Sequence, residues 1–393
     1  MSIALKTLLF LSATLSLATA ETWPTWTTTL NRTFQAKFLK LDGDKAIFQQ
    51  ESGRIFATPL EQIHPNDRQR LQVMPAAVPA EPGLPVRPAN FGYVWPRGVR
   101  FSGDASSKIV SEDRKAGVSV YESTNYRFHC DTSLTRDVLR DFATMFETTH
   151  QFSKALPLAM SPANLDKGKL TILLFESLEN YYRAGGPPGS AGCYNPAGQV
   201  LVPMSSLGLR RVGNDFRLDT QGRNHSVLIH ELAHQLTPHC YYTPGARGWF
   251  SEGLAEYFAA TPYHWGYFQP DPHGNAVMAY VSALGSDNKG GRNLGKAIRL
   301  PKLRTFFLMD YRTFTGLDPN TNYGAALLLT HYFFHMQDDG RPMRITQFLK
   351  GIHGGAQGEP SLAPLLAGGS YEKLESEISE AWGRKGIQIT FGN

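Results

Sequence analysis

Residues 230–234 read His-Glu-Leu-Ala-His, and residues 249–258 read Trp-Phe-Ser-Glu-Gly-Leu-Ala-Glu-Tyr-Phe. The first run is embedded in apolar positions, Val227, Leu228, Ile229, Leu232, Ala233 and Leu236, so it predicts a buried helix. Histidines four apart project from one face of such a helix, one turn apart, and can grip a single ion. Glu231 sits one step round that face, close enough to touch a water on the ion without being a ligand. Pro238 stops the helix, and Pro244, Gly245 and Gly248 supply a turn before a second helix begins. That second helix brings Glu252 and Glu256, one turn apart on one face. Glu252 is the natural third ligand. A buried face carrying two His and two or three Glu is costly unless a cation compensates it. Two His, one Glu and an open fourth position form the catalytic arrangement of zinc, not the closed structural one.

This arrangement resembles the gluzincin group of zinc metallopeptidases, in which the third ligand is a Glu on the helix after the His-Glu-x-x-His helix. The resemblance rests on His230, Glu231, His234 and the run from Glu252 to Tyr257. It implies one Zn2+ per chain held by His230, His234 and Glu252, with Glu231 as general base. Thermolysin-like members carry an acidic residue four positions after the third ligand that orients a zinc histidine. Glu256 matches that slot, although it is Glu and not Asp. The Gly-x-Met-Glu-Asn segment of the related aminopeptidases is absent, which favours an endopeptidase over an N-terminal exopeptidase.

The chain has 393 residues, 19% of them charged, enough for one large and one small domain. Residues 1–20 read as a secretory signal: Lys6, an apolar run from Leu8 to Leu17, then Ala18-Thr19-Ala20. That run is too short to span a bilayer, and no other stretch reaches eighteen apolar residues. The apolar run 325–334 carries His331 and reads as a core helix. The expectation is a secreted or periplasmic protein without a membrane span. Its formal charge of +5 is spread out, with no basic run, which argues against nucleic-acid binding. Cys130, Cys193 and Cys240 permit at most one disulfide. Cys240 follows the zinc helix closely enough to be a ligand, although a buried thiol or half of a bridge fits it better. Asn31-Arg32-Thr33 and Asn224-His225-Ser226 match the glycosylation pattern.

Four segments follow along the chain: a signal at 1–20, a β module at 21–72, a Pro-rich linker at 73–105 and a metallopeptidase domain at 106–393. In the module, Phe34, Ala36 and Phe38 alternate with polar residues, and Asp42-Gly43 and Ser52-Gly53 mark turns. Trp26, Gly43, Gly53, Pro59-Leu60 and Asp67 give it a resemblance to the SH3-like homology domain of a yeast actin-patch protein. That implies a small β-barrel and a protein or peptide ligand, with a spacing role as the other reading. The large domain reads as a strand at 119–129, a helix from 134 to about 152, a buried strand at 169–175 and a short helix at 179–184. An edge strand at 192–203 follows. This order resembles the upper lobe of a two-lobed zincin, giving an α+β fold. There, the edge strand pairs with an extended substrate, here through Cys193, Tyr194, Val200 and Val202. Helices at 274–284, 302–309, 323–337, 343–350 and 371–382 build the lower lobe.

The expected reaction is hydrolysis of a peptide bond in a peptide or protein substrate. Tyr323, placed at the start of a long apolar helix, is the candidate for stabilising the oxyanion, ahead of His331 and His335. His225 and His239 lie off the ligand spacing and read as structural. Two other readings remain open on sequence alone. One is an exported binding protein whose zinc is structural. The other is a zinc hydrolase of a non-peptide amide or ester.

Overall fold

The computed structural model describes residues 24–50, 55–73, 91–92, 94–103, 105, 107–113, 118–162, 168–195, 197–207, 209–212, 215–218, 225–282, 291–337 and 342–392. The expected signal at 1–20 and the Pro/Ala run at 75–88 lie outside these residues. The chain forms two compact units, 1–85 and 86–393.

In the smaller unit, β1 (Thr25–Thr27) and β2 (Thr33–Gln35) form one antiparallel ladder. β3 (Lys37–Asp42), β4 (Lys45–Gln49) and β5 (Ile55–Pro59) form a second. The β3–β4 turn uses Gly43 at φ 60°, a conformation that costs glycine nothing. A helix, α1 (Pro65–Val73), follows, and Asp67 on it accepts the Thr27 amide at 2.8 Å. Trp26, Phe38, Phe48, Ile63 and Leu71 make the core, and the Trp26 indole donates to the Ala36 carbonyl at 2.7 Å. The described strands do not close into the expected barrel. The Ala36 N–H to the Pro24 carbonyl extends the β1–β2 ladder by one more pair, and β3 then joins a different sheet.

The larger unit begins with β6 (Val99–Arg100), β7 (Lys108–Asp113), β8 (Val118–Glu122) and β9 (Tyr126–Cys130). Next come α2 (Arg136–Ala155), β10 (Leu170–Phe175), α3 (Leu178–Arg183), β11 (Cys193–Tyr194) and β12 (Val200–Pro203). Six of these strands form one mixed sheet in the order β11-β12-β10-β9-β8-β7. β9, β10 and β12 run parallel, and the outer strands are antiparallel to their neighbours. α2 is capped by Thr135 and buries Val138, Leu139, Phe142 and Phe146 at helical spacing.

Two sequence expectations need correcting here. Residues 119–129 are not one strand but the β8–β9 hairpin, whose turn is fixed by the buried Glu147. That carboxylate accepts from Ser123 Oγ at 2.6 Å and the Asn125 amide at 2.7 Å. Residues 192–203 are likewise a hairpin, with only β11 at the sheet edge. β12 lies between β11 and β10 and is fully buried, so Val200 and Val202 have no free backbone edge to offer a substrate. The Asn195–Gly198 turn, with Gly198 at φ 79°, reverses the chain between them.

After the small hairpin β13 (Leu209–Val212) and β14 (Asp215–Leu218) come α4 (Ser226–Leu236) and α5 (Trp249–Ala260). β15 (Tyr263–His264) and β16 (Tyr267–Phe268) pair with β6, and α6 (Asn275–Ser282) follows. The remainder is mainly helical. It comprises β17 (Ala297–Leu300), α7 (Leu303–Phe307), α8 (Tyr311–Gly316), α9 (Pro319–His335), α10 (Met343–His353), α11 (Gly358–Ser361), α12 (Ala363–Leu366), α13 (Tyr371–Gly383) and β18 (Gln388–Phe391). β17 and β18 pair in parallel. α9 starts earlier than periodicity suggests, because Asp318 caps it by accepting from the Thr321 amide and Pro319 suits the first turn. Tyr323 therefore lies one turn inside the helix. α8 has no counterpart in the sequence reading.

α5 packs against both α4 and α9 at the centre of a single core that continues into the sheet. Gly253 on α5 is the point of closest approach. A Cβ there would lie 2.5 Å from the Ala326 carbonyl oxygen and 2.2 Å from Thr330 Oγ1 on α9. Among the described residues no helix is long and apolar enough to cross a membrane. All three cysteines are free thiols, so the bridge that export would permit is not formed.

Candidate metal centre

α4 presents His230 and His234 from one face, and α5 lies beside it with Glu252 in its first turn. The three side chains converge. His230 Nε2 and His234 Nε2 are 3.1 Å apart, and Glu252 Oε2 lies 3.4 and 3.1 Å from them. Among the described residues they are the one His/Cys/Asp/Glu group able to hold a metal ion. A tetrahedral ion with bonds of about 2.0–2.1 Å has ligand–ligand edges of about 3.3 Å. The observed triangle matches one face of such a polyhedron. Cys240, His225 and His239 are not part of the group.

The partners of each ligand's second atom fix which atom is offered to the ion. His230 Nδ1 donates to Glu256 Oε1 at 2.9 Å, which leaves its Nε2 lone pair facing inward. The Tyr242 hydroxyl donates to the His234 carbonyl at 3.0 Å, so its oxygen accepts from His234 Nδ1 at 3.2 Å. That arrangement again leaves Nε2 as the acceptor. The Tyr311 hydroxyl donates to Glu252 Oε1 at 2.9 Å, so Oε2 is the oxygen turned towards the imidazoles. Three electron pairs thus face one point, an arrangement that repels itself unless a cation or a proton sits there.

The electrostatics point the same way. Burial works to lower the His230 pKa, but its hydrogen bonds to Glu252 and Glu256 overcome this and push it up to about 10. Burial likewise works to raise Glu252, yet the charge of His234 and the hydrogen bonds from both histidines hold it well below the usual carboxylate range. Glu256 is held low against the same burial by His230 and Arg292. The centre therefore favours positive charge beside its carboxylates. His230 and His234 are 9% and 7% exposed against 1% for Glu252, so the opening lies on the histidine side.

Glu231 is half-buried beside the triad, and its Oε2 accepts the Tyr194 amide of β11 at 2.8 Å. Its Oε1 has no hydrogen-bond partner among the described residues. Gly192 makes room for it, since a Cβ there would lie 3.4 Å from Glu231 Cγ. The Tyr194 ring stacks on His234 with centroids 6.4 Å apart. Tyr323 lies against His230, its ring centroid 6.0 Å away, and burial raises its hydroxyl pKa so that it stays a donor. His331 and His335 are elsewhere, further along α9 among Trp382, Trp95 and Tyr257.

Sequence reasoning missed four groups that complete the centre. Tyr311 and Tyr242 hold ligands, and Arg292 makes two hydrogen bonds to Glu256, through Nε at 2.8 Å and through Nη2, while stacking on Tyr323. Arg247 lies over the Tyr311 ring at 4.4 Å. Only Tyr311 left a trace, the Asp310-x-x-Thr313 cap of its short helix. No protein-family model, curated protein or solved structure matches the chain.

Proposed function

We propose that this chain is a zinc-dependent metallopeptidase, an exported endopeptidase in which Glu231 is the general base. The observation that carries the reading is the convergence of His230 Nε2, His234 Nε2 and Glu252 Oε2 with the half-exposed Glu231 carboxylate beside them. Two imidazoles and one carboxylate are the protein ligands of catalytic zinc, with the fourth position left to water or substrate. Their donor set and separations suit the ion.

A zinc ion held there supplies Lewis-acid polarisation of a carbonyl and acidification of a water molecule. The remaining steps belong to the chain. The Tyr194 amide steers Glu231 through Oε2, and Oε1 is the atom placed to take a proton from the attacking water. The same carboxylate returns the proton to the departing amine. Tyr311 and Tyr242 are committed to Glu252 and His234, whereas Tyr323 is protonated, half-buried and next to His230. Tyr323 is therefore the donor for the oxyanion. Peptide hydrolysis is favoured over other amide or ester chemistry by the resemblance of the two motif helices to gluzincins. Export rests on the first twenty residues, and a protein or peptide ligand for the smaller unit rests on its resemblance alone.

The test is metal analysis of the purified protein together with digestion of a random peptide library, run beside Glu231→Gln. Stoichiometric zinc with cleavage only by the parent chain supports the reading. Zinc without cleavage of any peptide overturns it.

A further inference from the structure

Arg247 stands apart from the other cations around the centre. The guanidinium of Arg292 is neutralised by Glu256. Arg247, on the turn before α5, makes no hydrogen bond or ion pair through its side chain among the described residues, and its Nε is buried without a partner. What it has is a ring: it lies over Tyr311 at 4.4 Å, and Tyr311 in turn holds Glu252 at 2.9 Å. A guanidinium loses hydration in such a position and gains only the attraction of the ring face. With a divalent ion bound, that ion and Arg292 would balance the carboxylates of Glu231, Glu252 and Glu256. The Arg247 side chain then has no carboxylate in contact with it among the described residues.

The turn that presents it is stiff. Gly245 and Gly248 flank Arg247 at φ 91° and 93°, and its amide donates to the Thr243 carbonyl at 2.8 Å. A Cβ on Gly245 would meet the Gly358 carbonyl at 2.8 Å, and one on Gly248 would meet Phe314 at 3.3 Å, so neighbours grip both ends. The contacts through Tyr311 put the guanidinium no more than about 10 Å from the Glu252 carboxylate, about three residues of extended peptide. A planar fork of donors held at that range is suited to one partner, a carboxylate.

We propose that Arg247 is a specificity-determining residue that binds a carboxylate of the substrate within about three residues of the scissile bond. The inference rests on the peptidase reading and narrows its substrates to peptides bearing an acidic side chain or a free C-terminus at that distance. The carboxylate would engage the terminal guanidinium nitrogens and supply the missing negative charge, Nε itself being sealed from solvent.

The test uses zinc-loaded protein and fluorescein-labelled decapeptides of neutral sequence. One glutamate is moved along the peptide, each peptide has a glutamine twin, and each is made with a free and an amidated C-terminus. The expected result is a kcat/KM about ten- to a hundredfold higher for the glutamate peptide at one register. If the C-terminal carboxylate is the ligand, the preference follows the free terminus instead. Arg247→Gln should bring the ratio of twins to about one, and Arg247→Lys should keep part of it, with every rate taken per bound zinc. Binding of the same peptides to zinc-loaded Glu231→Gln, read by anisotropy, should show the same preference without turnover. Equal cleavage of the twins together with indifference to a free or amidated C-terminus, or a preference that survives Arg247→Gln, overturns the assignment. If no peptide is cut but Arg247-dependent binding of the acidic peptides persists, recognition stands and the peptidase reading falls.

Discussion

The Tyr311 hydroxyl donates to Glu252 Oε1 at 2.9 Å, which turns the other oxygen, Oε2, towards both histidines. A residue 59 positions from its partner thus decides which lone pair the third ligand presents. Removing that hydroxyl leaves Glu252 in place but free to rotate. Tyr311→Phe should weaken metal affinity about ten- to a hundredfold, measured by competition with a chromophoric chelator. Unchanged affinity would remove Tyr311 from the account of the centre.

Glu231 has a different duty from the ligands, because neither of its oxygens belongs to the converging triangle. Glu231→Gln should retain zinc and fold, while peptide hydrolysis falls by about three orders of magnitude or more. Atomic emission on the variant and a single-turnover peptide assay decide the point. Loss of metal from this variant would mean that the carboxylate is a ligand after all.

Gly253 is dictated by packing. Any Cβ there strikes the Ala326 carbonyl oxygen, which backbone geometry prevents from moving aside. Gly253→Ala should cost about 3 kcal/mol, read as a fall in the denaturation midpoint, together with weaker metal binding through displacement of Glu252. A silent substitution would show that α5 and α9 are further apart than described.

Burial holds His331 well below the ordinary histidine value of 6.5, and burial pulls His335 down to about 4. The unfolded chain therefore binds protons at these sites that the folded chain refuses. Stability from the pair is complete above pH 6.5 and drains away as pH falls towards 4 and below. Neither ring nitrogen of His331 has a hydrogen-bond partner among the described residues, so His331→Leu should be tolerated and should flatten this acid loss. Denaturation midpoints at neutral and mildly acidic pH, compared between parent and variant, measure it.

The ligand triangle was legible because metal binding leaves a mark on local spacing. His230 and His234 are one turn apart, and Glu252 opens the next helix after a turn rich in Gly and Pro. The residues that steady those ligands left no such mark. Tyr242, Tyr311 and Arg292 reach the centre from separate elements, and only tertiary packing brings them there. Hairpins are hidden in the sequence for a simpler reason. The turns at 123–125 and 195–198 are short and flanked by apolar runs, so each hairpin passes for one strand. Barrel closure was beyond reach altogether, since it depends on which strands Ala36 separates.

The main-chain contact at Gly253 ties α9, a helix with no ligand of its own, to the position of Glu252. Side-chain volume on that helix is consequently a remote control on coordination. An enlargement at Thr330, whose side chain faces Gly253 far along the sequence from either motif, would push the carboxylate out of register with the imidazoles while leaving every recognisable signature letter intact.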